Sequence, residues 1–194
     1  MLLTLAVVAL LQDPEAILKQ ARSAQAEFER TRRFHLPRTT LEPSRRCDER
    51  IGGLCYWYDA TETPPPPEGA EITGARAALL VELSAAVARV PDDPWPIGQQ
   101  VRYLLEADRP GEALQAAAGC ASTSAWCGAL VGLVHHWTGE VEEADSAFTR
   151  ALRRATAEER CAWLDIRLLL PGGAAREWRN LPCPARADAA ERWL

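Results

Sequence analysis

The chain has 194 residues, 47% hydrophobic and 25% charged, which suits one ordinary domain or a repeat array and argues against wholesale disorder. Ala (34) and Leu (24) dominate while Val and Ile total 14, so helices are favoured and a sandwich, barrel or parallel sheet is excluded. A formal net charge of −5 argues against nucleic acid as the main partner.

In chain order, residues 2–11 form an apolar run too short to span a bilayer, which needs about 20 residues. It suits the core of a secretory signal, although no Lys or Arg precedes it. Residues 1–12 are therefore read as a signal peptide, with a first buried helix as the alternative. Asp13-Pro14-Glu15 is a helix start, and Ile17, Ala21, Ala24 and Phe28 supply the buried stripe of a helix running to about Phe34. Between Arg30 and Arg50 seven arginines face three acids, a solvated loop or a patch for an acidic partner.

Residues 36–70 read as irregular. Pro43-Ser44 opens a short helix ending at Gly52-Gly53, with Cys47 bridged to Cys55. Alternatively a two-residue hairpin at Gly52-Gly53 sets Cys55 opposite Arg50 and Cys47 opposite Tyr58; the bridge is preferred. Pro64–Pro67 is a stiff spacer.

From Glu71 onward the chain is regular. Helices are predicted at Ala75–Val90, Ile97–Ala107, Gly111–Ala118, Ala125–Thr138, Val141–Ala155, Ala157–Leu170 and Ala174–Arg179, with a last one from about Ala185. The domain division is thus 1–12 signal, 13–70 helix plus cysteine loop and spacer, and 71–194 helical repeats.

Six cysteines in neighbouring pairs read as disulfides of an oxidising compartment: Cys47 with Cys55, Cys120 with Cys127, Cys161 with Cys183. Each contributes about 2–4 kcal/mol if unstrained. Their spacings do not suit zinc. His135 and His136 are adjacent on a helix and cannot both face one metal, so no metal or cofactor is expected, and no catalytic motif occurs.

Ala129–Leu152 is similar to a tetratricopeptide (TPR) unit. Gly132 takes the small first-helix position, Gly139 the turn, and Ala144, Phe148 and Ala151 the small–aromatic–small pattern of the second helix. Trp126, His135 and the missing proline after Ala151 depart from the pattern. Ile97–Cys120 matches more weakly through Ala113, Ala117 and Cys120, 31 residues earlier. The resemblance implies an antiparallel helix-hairpin repeat array, so the fold expected is all-α, with the irregular, disulfide-bearing loop read above near its N-terminus. It also implies a concave groove for a peptide or partner protein, placing Trp95, Arg102, Trp126, Leu133, His136 and Trp137 on or near it. The segments Cys47–Asp59 and Glu159–Asp165 also resemble the helical N-terminal region of secreted bacterial GWxTD-domain proteins, without the GWxTD string.

The expected function is a non-catalytic, periplasmic or secreted protein-interaction scaffold with no membrane span. Two alternatives stand beside it: an enzyme or ligand-binding module with a pocket at the Cys47–Asp59 loop lined by Arg45, Asp48 and Arg50, or a regulatory segment of a larger secreted protein.

Overall fold

A computed structural model describes residues 13–35, 49–51, 54–56 and 68–191. These residues are helical except for one short β-hairpin. The signal reading, Cys47, the Pro64–Pro67 spacer and most of the proposed pocket at Cys47–Asp59 lie outside them.

Helix α1 (Pro14–His35) starts where Asp13 accepts from the Glu15 amide at 3.1 Å. Strands β1 (Glu49–Ile51) and β2 (Leu54–Tyr56) pair antiparallel with Arg50 opposite Cys55. Residues 49–51 are therefore strand rather than the end of a helix, paired in the register of the hairpin reading.

Helix α2 (Ala70–Arg89) begins five residues earlier than expected and buries Ile72, Leu79, Leu80, Leu83 and Ala86 on one face. In α3 (Pro94–Glu106) Asp93 caps the Trp95 amide at 2.8 Å and Pro94 opens the first turn, the preorganised start for a helix. Next come α4 (Pro110–Ala118), α5 (Ser124–Trp137, capped by Thr123) and α6 (Val141–Arg154).

The connections after α3 and α5 are built alike. Asp108 (φ 56°) and Gly139 (φ 79°) are left-handed, the conformation that ends a helix. In the first, the amides of Asp108 and Arg109 donate to the carbonyls of Leu105 and Leu104. In the second, those of Gly139 and Glu140 donate to His136 and His135. Both are Schellman turns.

Helices α1 to α5 and the start of α6 form one compact unit, residues 13–35 and 68–148 among those described. Its core runs through Phe28, Leu79, Leu83, Val101, Tyr103, Ala113 and Leu130. The chain passes from one unit to the other at Glu68, close to the boundary expected at residue 70, but α1 packs along α2 and shares its core, so it groups with the later helices. Because so many core positions are Ala, backbones approach closely, and Gly132 sits so near Phe148 that a Cβ there would meet the ring at 2.8 Å.

The second unit contains β1, β2 and residues 149–191. Helix α7 (Ala157–Trp163) carries a capping box in which Thr156 and Glu159 satisfy each other's amides. It stops at Trp163 rather than Leu170. Asp165 accepts from the Arg167 amide and the chain tightens into a 3-10 turn at Arg167–Leu169, leaving Leu168 exposed. Helices α8 (Gly172–Asn180) and α9 (Cys183–Glu191) follow, with Trp178 buried among Leu170, Ala189 and Ala190.

Disulfides join Cys120 to Cys127 and Cys161 to Cys183, with Cα separations of 5.5 and 5.4 Å. Among the described residues no helix is long and apolar enough to cross a membrane.

Candidate functional site

The residues that sequence reasoning assigned to a groove come from α3 and α5. On α3, Trp95 and Arg102 face α1. The Arg22 guanidinium lies 5.1 Å from the Trp95 ring centroid, a cation–π contact. Arg102 donates to Glu106 at 2.8 Å and pairs with Glu29 at 3.6 Å. Both residues are thus engaged within the unit.

They belong to a polar ladder between α1 and α3 at near-constant sequence offset. Gln25 donates to Gln99 at 2.6 Å and to the Tyr103 hydroxyl at 3.0 Å, Tyr103 donates to Glu29 at 2.7 Å, and Arg32 donates to Glu106 at 2.9 Å. Sequence reading missed this ladder. Its signal was present in the helical spacing of Arg22, Gln25, Glu29 and Arg32, but nothing in a single sequence says which helix lies opposite.

Burial pushes the Tyr103 phenol up to about 12, and its hydrogen bond to the Glu29 carboxylate acts the same way. The fold favours the neutral phenol, so this contribution is whole below the unfolded value of 10.0 and is lost as pH rises toward 12. Denaturant titrations from about pH 9 to about pH 12 should show wild-type stability falling more steeply than that of Tyr103→Phe. Parallel slopes would acquit Tyr103.

On α5 the side chains divide. Trp126 turns back onto α3: its indole Nε1 donates to the Pro94 carbonyl at 2.9 Å, and a Cβ at Gly98 would meet the ring at 2.7 Å. It serves there as a packing residue between helices. Leu133 is half-buried against the core, His136 is exposed, and Trp137 is 55% exposed. Spacings of three and four place Leu133, His136 and Trp137 along one side of α5. Val141, just past the turn, is exposed as well.

His135 closes that turn, its Nδ1 lying 2.6 Å from Glu140, which also accepts from Thr138 at 3.0 Å. The His135 contact, then the Thr138 hydroxyl, hold the Glu140 carboxyl below its ordinary range.

No protein-family model, curated protein or solved structure matches this chain. Its chemistry therefore rests on its own residues.

Among the described residues no three His, Cys, Asp or Glu side chains are grouped to hold a metal ion. An open groove of about 720 Å³ lies between α1 and α2 in the first unit. Ala16, Ala24, Ala75 and Ala78 line it with Lys19, Glu27 and Glu82, and none of the sequence-assigned groove residues is among them.

Proposed function

We propose that the chain is a TPR-like, non-catalytic scaffold of the cell envelope that binds a peptide or partner protein along the open side of α5. Its anchor is Trp137, with His136 and Leu133 beside it. The observation that carries this reading is the division of labour among the tryptophans. Trp95 and Trp126 are held by Arg22 and by the α3 backbone, whereas Trp137 stands 55% exposed on a stripe with a half-buried leucine. Exposed tryptophan in such a setting is the commonest kind of interface hot spot.

The repeat reading is supported by the two Schellman turns centred on Asp108 and Gly139, 31 residues apart. Ala113 and Ala144, also 31 residues apart, are both buried, and Gly132 meets Phe148 closely where a TPR unit packs its two helices. The Cys120–Cys127 and Cys161–Cys183 bridges support an extracytoplasmic location, where disulfides form and persist.

A random peptide library displayed on phage and selected on the immobilised protein tests the reading. Selected peptides should lose about 30-fold or more in affinity on Trp137→Ala, the hot-spot threshold of about 2 kcal/mol, and keep it on Val81→Ala, an exposed apolar control on α2. The melting temperature of Trp137→Ala should stay near wild type because the ring is largely in solvent. Failure to enrich any peptide, or peptides indifferent to Trp137, would overturn the assignment.

A further inference from the structure

Helix α7 has no buried residue, so the apolar cluster around Trp178 does not hold it. The Cys161–Cys183 bridge ties α7 to α9, with Arg186 of α9 also reaching the Cys161 sulfur. Both cysteines are half-exposed. Arg186, one turn into α9, points its Nη1 at the Cys161 sulfur, 3.7 Å away, and its Nε donates to the Leu181 carbonyl at 3.2 Å, which fixes the guanidinium there. Asp165, itself paired with Arg167 at 2.6 Å, also lies within the field of Arg186. Cys183 is the first residue of α9, where the helix dipole favours negative charge.

We propose that Cys161–Cys183 is a thiol–disulfide exchange site for an external dithiol, and that its reduction releases α7. The reductant's thiolate attacks the Cys183 sulfur, the S–S bond breaks, and its electron pair passes to Cys161 as a thiolate beside Arg186. The second thiolate of the reductant then resolves the mixed disulfide at Cys183. The protein gains two electrons and two protons, and the dithiol leaves as a disulfide. Stabilising the reduced pair makes a bridge more readily reduced.

The Cys120–Cys127 bridge supplies the internal comparison. It lies between helix ends already seated by buried Ala117 and Ala125, so its loss frees no element.

The test equilibrates the full chain in graded glutathione redox buffers, quenches with acid, alkylates and maps the labelled cysteines by mass. Cys161 and Cys183 should become labelled at a thiol-to-disulfide ratio about tenfold or more less reducing than Cys120 and Cys127. Amide exchange should rise in 157–163 on their reduction while 172–180 stays protected. Arg186→Gln should bring the two bridges closer together by about tenfold, and Arg186→Lys should preserve most of the difference. Coincident titration of the bridges, or an Arg186→Gln profile like wild type, would overturn the proposal. Should Arg186→Gln fail to fold, the wild-type separation of the two bridges and the exchange in 157–163 decide the matter.

Discussion

Replacing Tyr103 with alanine should destabilise the first unit by about 3–5 kcal/mol, the cost typical of removing a large buried aromatic. Tyr103 is fully buried, meets Phe28 edge-to-face at a centroid distance of 5.2 Å, and ties α3 to α1 through Gln25 and Glu29. Truncation removes the ring contact and leaves a cavity that a helix lined with alanines cannot refill. Tyr103→Phe keeps the ring and loses only the hydroxyl. Glu29 still pairs with Arg32 at 2.7 Å, so the cost should be about 1–1.5 kcal/mol. Urea denaturation followed by circular dichroism separates the two variants. A Tyr103→Ala loss no larger than that of Tyr103→Phe would mean the ring is not the keystone of the α1–α3 contact.

The second large effect concerns a charge in the core. Arg76 on α2 is 4% exposed, lies over the Phe28 ring at 5.7 Å, pairs with Glu68, and has no hydrogen-bond partner for its Nε. Removing one member of such a pair is worse than removing the charge altogether, because the survivor remains desolvated and unpaired. Glu68→Ala should therefore cost about 2–3 kcal/mol, below the full buried-pair penalty because Glu68 is itself 38% exposed. Arg76→Met fills similar volume without charge and leaves only Glu68, which at 38% exposure water can solvate, so it should stay within about 1 kcal/mol of wild type. The reverse order in thermal or urea unfolding would show that Arg76 contributes chiefly through its cation–π contact with Phe28.

The outcome of the sequence reading differs by element for definite reasons. Helices α3 to α6 were legible to within a few residues because their apolar spacing, their caps (Asp93, Thr123) and their turn residues all agree. The Ala157–Leu170 helix was overextended because Leu168–Leu170 extends the apolar pattern, while the Asp165 side chain captures the Arg167 amide and stops the helix early. Two of the three neighbour cysteine pairings are present, and Cys47 of the third lies outside the described residues.

For the candidate site, residue type alone could not separate one tryptophan from another. Trp95, Trp126 and Trp137 are chemically identical and all fall on helices, yet the opposite helix decides each fate. Arg22 takes the first, Gly98 makes room for the second, and the third is left to solvent.

By itself, then, the sequence determined the helical class and most of the helix ends, because periodicity and capping are local properties carried by neighbouring residues; neighbour pairing, which four cysteines adopt, was the simplest of the pairings the sequence allowed. Tertiary structure alone decided that α1 joins the α2–α5 core, that Arg76 is buried, and that Trp137 rather than Trp126 is exposed. Those outcomes depend on contacts between residues some 30 to 75 positions apart, whose pairing no local spacing encodes.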